Sequence, residues 1–310
     1  MSNHLVEYVR CLNRYRRLAG WGETGRLLGS ITAGKVGVSP GMEAQRAMQR
    51  WAFFQIIDRE ASVRVSRFEK NEFRVFYAGE KPELGGVEVA LRMPDCDSSD
   101  PRVFDQIFIM KDYAHVLEWF STVSPGKEIR TIIDIGANIG CAALFFCTWL
   151  PAPNIFCLEP EESNYTRLLL NLSLNRDRQI RCHRAALWTQ PGSLDCAHDF
   201  RDGKEWGARF VVAEGEAKNP AQKVSAIDIN GLAEQTGFAR VDFLKMDIEG
   251  AEAELFRTQT FRDFLKEKVG RIAVEVHEEF IKIDEVNAIL TALGFQTKTI
   301  SEFVCGIKAP

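Results

Sequence analysis

Residues 131–160 read TIIDIGANIGCAALFFCTWLPAPNIFCLEP, and the order of this stretch decides the fold. Thr131–Ile135 is a short apolar run rich in isoleucine, the composition of a strand buried on both faces. It breaks at Gly136-Ala137-Asn138-Ile139-Gly140, after which Cys141–Leu150 reads as a helix stopped by Pro151 and Pro153. A second apolar run, Ile155–Leu158, ends on the carboxylate of Glu159. Strand, glycine turn, helix and strand with a terminal acid make one βαβ unit suited to holding a nucleoside.

The residues at the turn have chemical reasons. Gly136 lets the backbone approach a ligand with no Cβ in the way, and Gly140 lets the helix start tight against the strand. Glu159 is placed to accept hydrogen bonds from both hydroxyls of a ribose. Asp134, near the end of the first strand, offers a carboxylate to an amino-acid ammonium. The turn lacks the middle glycine of G-x-G-x-x-G, which disfavours a pyrophosphate and with it a dehydrogenase, and no Gly-Lys-Ser/Thr follows to make a P-loop. Ribose plus ammonium without pyrophosphate points to S-adenosylmethionine. The candidates for its site are Asp134, Gly136, Ala137, Asn138, Gly140 and Glu159, joined by Asn164 on the helix predicted over 163–175.

A second chemical locus lies downstream. Val241–Met246 reads as a fourth strand with Asp247 at its C-terminal end, the edge where open α/β sheets bind ligands. Asp247 joins the cofactor-site candidates on that ground. The next strand, Arg271–Val276, brings Glu275 to the same edge, with His277 just beyond and Glu249 in the turn after Asp247. Glu252 is expected to cap the following helix. The sequence Met246-Asp247-Ile248-Glu249 has neither the prolines nor the aromatic of the Asn/Asp-Pro-Pro-aromatic motif used to methylate base and amide nitrogens. A helix over 284–293, Gly294 and two tightly joined strands, Phe295–Ile300 and Phe303–Ile307, predict the reversed C-terminal hairpin that separates methyltransferase sheets from dinucleotide-binding ones.

Asp134-Ile135-Gly136-Ala137-Asn138-Ile139-Gly140, Leu158-Glu159-Pro160, Asn164, Asn171, Asn175, Ala185-Ala186-Leu187 and Lys245-Met246-Asp247-Ile248-Glu249-Gly250-Ala251-Glu252 resemble the FkbM-type methyltransferases. The resemblance spans roughly Asp100 to the C-terminus. It implies a class I, S-adenosylmethionine-dependent enzyme acting mostly on hydroxyl oxygens, with a seven-stranded α/β sheet. In such folds the loop after the third strand, here Ile180–His183, edges the adenine, which makes Ala186 and Leu187 candidates for its wall. The resemblance also implies that Asp100, Gln106 and Tyr113 frame the substrate side.

Outside that core the chain predicts an N-terminal addition over residues 1–95 and a methyltransferase domain over 96–310. Residues 4–30 and 42–60 read as helices, 29–41 as a linker, and 62–93 as a small antiparallel sheet. The addition is expected to cap the site or make homo-oligomer contacts. Residues 193–220 read as a polar loop at the substrate entrance, with Trp206 and Arg209 as its candidates. A net charge of −4 over 310 residues gives no electrostatic reason to expect nucleic acid. No 18-residue apolar run or signal-peptide core occurs, and eight scattered cysteines without a C-x-x-C pair suit a reducing compartment, so a cytoplasmic location is expected.

Methyl transfer to a hydroxyl needs alignment and a route for the proton. Two routes stand open: His277 as general base, with Asp247 and Glu249, or a magnesium or other divalent ion held by Asp247, Glu249 and Glu275. The expected acceptor is a hydroxylated small molecule or glycan, such as a sugar or polyketide-type alcohol. The alternative from another class is a catalytically silent module of the same fold serving a biosynthetic assembly.

Overall fold

Two helices open the chain in the computed structural model, which describes residues 3–35, 39, 41–69, 72–92, 98–197, 209–212 and 223–308. They are α1 (Asn3–Lys35), broken at Gly20 where φ is 83°, and α2 (Met42–Ile57). The helix thus runs through Gly29 and Gly34, where a linker was expected. Tertiary ties override the glycines: Leu27 is buried, and the Ser30 hydroxyl donates to Arg26 and to Ala44 of α2. A buried Glu23–Arg50 ion pair at 2.6 Å and the Tyr15 ring against Trp51 and Phe54 hold the helices together. The alternating stretch then gives β1 (Val63–Glu69), β2 (Glu72–Tyr77) and β3 (Val87–Arg92), an antiparallel sheet in that order. The short α3 (Asp100–Phe104) and a π-helical turn over Asp105–Ile109 pack here, Phe104 on Phe53 and Phe108 on Tyr77. The chain divides into two compact units, Met1–Met110 and Lys111–Pro310.

The second unit starts with α4 (Asp112–Val123) and the unit announced by the glycine turn: β4 (Thr131–Ile135), α5 (Cys141–Trp149) and β5 (Asn154–Leu158). α6 (Glu162–Leu174), capped by the Glu161 carboxylate on the Asn164 N–H, leads to β6 (Ile180–His183). Next come β7 (Ala186–Leu187), β8 (Gly192–Ala197), β9 (Arg209–Val212) and β10 (Lys223–Ile227). Then follow α7 (Ile229–Thr236), β11 (Phe243–Met246), α8 (Glu252–Arg257), α9 (Gln259–Lys268), β12 (Arg271–Glu275), α10 (Ile283–Ala292), β13 (Phe295–Ile300) and β14 (Phe303–Lys308).

Seven of these strands form one sheet in the order β13-β14-β12-β11-β4-β5-β6. β12, β11, β4, β5 and β6 run parallel, and β14 is antiparallel to both of its neighbours. The reversed hairpin read from the sequence is therefore present. Parallel strands buried on both faces explain the near-continuous apolar runs of β4, β5 and β11. α5 is buried along Cys141–Thr148, which is why its sequence shows no polar stripe.

The stretch expected as a polar entrance loop is instead partly a sheet. β7, β10, β8 and β9 pair in that order, because Leu194, Val224 and Ala226 bury together with Ala186. Trp206 lies outside the described residues, and Arg209 opens β9.

Candidate active site

The Gly136–Gly140 turn leaves β4 pinned from two sides. The N–H groups of Gly136 and Ala137 both donate to the Leu158 carbonyl at the end of β5, at 2.9 and 3.0 Å. Gly136 has φ 76°, and a Cβ there would lie 1.7 Å from the Asp247 carbonyl oxygen. Glycine is thus required by the close approach of β11's end as well as by the backbone angle. Gly140, at φ 88°, would drive a Cβ to 2.6 Å from Leu168, so its role is to let α5 and α6 meet. Asn138 sits in the left-handed region at φ 51°, and its side-chain oxygen accepts from the Ile139 N–H at 2.8 Å. Asn171 on α6 reaches over to donate to the Ile139 carbonyl at 2.8 Å.

Glu159 is the centre of the first half of the site. Its carboxylate accepts from the Asn138 N–H at 2.7 Å and from the Glu161 N–H at 2.9 Å, which orients both oxygens. Burial pushes its pKa up to about 7, although those two backbone donors pull it down. Glu159, Gly136, Asn138, Asn164, Ala186 and Leu187 line one cleft that opens to solvent, and Asp247 and Glu249 line it too. The sequence reading missed Trp188, Pro160 and Glu161, which also line it. Trp188 follows Leu187 directly, so the signal was an aromatic beside a residue already singled out. Ala137 is buried behind the turn and is not among the lining residues.

Asp134 meets a cation of the chain itself. Its side chain is fully buried and is not part of the cleft lining, and its carboxylate faces the ammonium of Lys245 at 3.1 Å. The cation it meets comes from the neighbouring strand, because Lys245 of β11 stands opposite Asp134 of β4 in the sheet register.

The second half of the site gathers around His277, whose side chain is buried. Its Nδ1 lies 2.6 Å from Glu252 Oε1, which also accepts the His277 N–H, while Glu252 Oε2 accepts the Gly250 N–H at 2.9 Å. Its Nε2 lies 3.1 Å from Glu249 and 3.8 Å from Glu275. Burial alone would push His277 down, but the hydrogen bonds to Glu249 and Glu252 and the nearby carboxylate charges carry it up to about 11. The flanking carboxylates thus favour the charged form of the ring. His277 stands as a clamp between Glu252 and Glu249, and the general-base role read from the sequence requires its Nε2 to turn free of Glu249. Glu252, expected as a helix cap, does bond back to the turn at Gly250, but its other oxygen holds the histidine.

Glu275 is pushed up to about 9 by burial and by the charges of Asp247 and Glu302, and Asp247 is left as the accessible carboxylate, with 29% of its side chain exposed. One oxygen each of Asp247 and Glu275 and a ring nitrogen of His277 lie within 4.8 Å of one another. Tyr113 is buried at this edge, packed on Phe146 and Phe303, so it walls the sheet end. Of the other residues expected on the substrate side, Asp100 is buried in the first unit and bound by Arg92 at 2.6 Å, and Gln106 lies in its π-helical turn. Among the described residues no helix is long and apolar enough to cross a membrane.

A parallel sheet closed by a reversed hairpin, with an acid after its second strand and a cleft at its C-terminal edge, is the class I methyltransferase fold. The family model described as the Methyltransferase FkbM domain matches residues 134–297, and the chain belongs to that family. It is similar to Methyltransferase 1 of Beauveria bassiana (25% identical over 173 residues, 50% of this chain and 65% of the relative). It is also similar to Methyltransferase sdnD of Sordaria araneosa (27% identical, 53% of this chain and 73% of the relative). A third similar protein is the 2-O-methyltransferase NoeI of Sinorhizobium fredii (26% identical, 42% of this chain and 57% of the relative). The chain thus spans just under two thirds of the first relative's length.

Proposed function

We propose that the protein transfers the methyl group of S-adenosylmethionine to a hydroxyl oxygen of a small molecule or glycan. The observation that carries this reading is a single cleft lined both by the oriented carboxylate of Glu159 and, two strands away, by the accessible carboxylate of Asp247. Glu159 keeps lone pairs for two ribose hydroxyls after accepting its two backbone donors, and Asn164, Ala186, Leu187 and Trp188 surround the base. S-adenosylmethionine supplies a methyl group on a positively charged sulfur, which needs no further activation. The chain's own task is to align the acceptor hydroxyl and take its proton. Asp247 is the residue for that step, since its side chain is the more exposed carboxylate of this edge, whereas the His277 ring is buried between Glu252 and Glu249. Oxygen as the acceptor atom is supported by the missing Pro-Pro-aromatic turn and by the name of the rhizobial relative, a 2-O-methyltransferase.

A divalent ion is the second reading, favoured by the convergence of Asp247, Glu275 and His277. This set replaces the Glu249 expected from the sequence with His277, because Glu249 is turned onto the histidine ring. An ion there must displace the proton from His277 Nε2, so its binding would strengthen as pH rises.

Isothermal titration with S-adenosylhomocysteine, followed by a methyl-transfer screen over sugars and polyketide-type alcohols, tests the proposal. Micromolar binding and transfer to a hydroxyl are expected. Absence of binding defeats the cofactor assignment, and transfer only to amines defeats the choice of oxygen. Activity that survives exhaustive chelation removes the ion.

A further inference from the structure

We propose that Lys245 is a positioning residue for the cofactor: anchored by Asp134, its ammonium group holds the Gly136 carbonyl and so fixes the glycine turn against the end of β11. The inference rests on the reading of that turn as the S-adenosylmethionine loop. Lys245 is 3% exposed in the middle of the sheet, on a strand whose other members, Phe243, Leu244 and Met246, are fully buried. Its Nζ donates to the Gly136 carbonyl at 2.6 Å and lies 3.5 Å from the Ile135 carbonyl. Asp134 stands 3.1 Å away and Asp247 4.0 Å away.

A buried lysine without partners sheds its proton or is replaced by an aliphatic side chain at no loss of sheet stability. Here the ammonium has two carboxylate partners, Asp134 at 3.1 Å and Asp247 at 4.0 Å, besides the Gly136 carbonyl. The pair faces itself across β4 and β11, so its geometry is set by the sheet and not by flexible loops.

The consequence falls on the turn. β5 holds the N–H groups of Gly136 and Ala137, and Glu159 holds that of Asn138. Lys245 fixes the opposite pole of the Gly136 peptide unit, the carbonyl. Without that donor the Gly136–Ala137 peptide is held only through its Ala137 N–H on Leu158, and the N–H groups that orient Glu159 and line the cleft lose part of their register. The lysine also spans from the turn to Asp247, so one side chain ties the cofactor half of the site to the proton-accepting half.

Removing either charge alone risks unfolding, because the other is left buried without a partner. The decisive variant is therefore the double replacement Asp134→Val with Lys245→Met, in which an apolar pair of similar volume fills the space. Its melting temperature is expected near that of the parent. Its affinity for S-adenosylhomocysteine, measured by titration calorimetry on the full chain, is expected to fall roughly 10- to 100-fold, the worth of a charge-assisted hydrogen bond. KM for S-adenosylmethionine is expected to rise by a larger factor than kcat falls. A folded double variant that binds like the parent overturns the proposal, since the pair would then serve charge balance alone. Should the double variant not fold, the neutral polar pair Asp134→Asn with Lys245→Gln takes its place, which leaves neither charge alone: roughly tenfold weaker binding is expected because the shorter amide falls short of the Gly136 carbonyl, and unchanged binding overturns the proposal. A parent protein that fails to bind S-adenosylhomocysteine would instead refute the cofactor reading itself.

Discussion

Glu159 and Asp247 line one cleft from strand ends two strands apart. Glu159 is held by two backbone donors and pushed up to about 7, so it is half protonated near neutrality. A ribose hydroxyl donates best to the ionised form, hence affinity for S-adenosylhomocysteine should strengthen as pH rises from 6 to 8. Glu159→Gln should weaken binding roughly 10- to 100-fold and flatten that pH profile, both readable by calorimetry. Asp247→Asn keeps the shape of the residue and removes its capacity to take a proton. It should lower kcat by roughly 10²- to 10⁴-fold while changing cofactor affinity far less, and an undiminished kcat would take the proton-accepting role away from it.

Among the elements, the glycine turn is the part whose conformation is forced from outside. A side chain at Gly136 meets the backbone carbonyl of Asp247, which belongs to a strand end and cannot swing away. Gly136→Ala should therefore cost about 2 kcal/mol or more in urea unfolding, with the loss of cofactor binding following. Asn171, on α6, fastens the same turn through the Ile139 carbonyl. Asn171→Ala leaves a buried acceptor without that donor and should cost about 1–3 kcal/mol, with a smaller loss of affinity than the glycine change. The reverse order of the two affinity losses would mean that α6, and not the end of β11, sets the turn.

For the whole molecule, the buried acidic edge makes stability depend on pH in one direction. The folded chain holds the His277 proton up to about 11 against an ordinary 6.5. That contribution is fully present below 6.5 and is lost as pH climbs through 11. Glu275, raised to about 9, and Glu159, raised to about 7, also keep protons that the unfolded chain releases, so they add to the decline above their ordinary 4.5. Lys308, pushed down to about 8 by burial and by Arg240 and Lys266, opposes the trend from a single site. Thermal unfolding should give a melting temperature that falls between pH 6.5 and 10. His277→Gln should flatten the upper part of that curve, and a melting temperature that instead rises over this range would contradict the protonated clamp.

The sequence by itself determined the sheet, its hairpin and the two loci of chemistry. Strand runs, glycine turn and terminal acids are local patterns, and the period of the chain decides them before any packing. It also determined that Glu159 and Asp247 belong at ligand-facing strand ends, because parallel strands present their C-terminal ends on one edge. The tertiary structure decided what each buried charge faces. Asp134 was legible as an acid near a strand end, but its partner depends on the register of β11 beside β4, which no local pattern carries. His277 was legible as the histidine at the acidic edge, but the carboxylates that favour its charged form, Glu249 and then Glu252, are brought to it from the turn and helix start after β11. The strands around Leu194 and Val224 escaped notice because short, polar-flanked segments become strands only once β7 supplies an edge to pair with. Pattern along the chain fixes where a group stands, whereas its charge state depends on neighbours brought in from distant positions, and at this site the neighbours decide the chemistry.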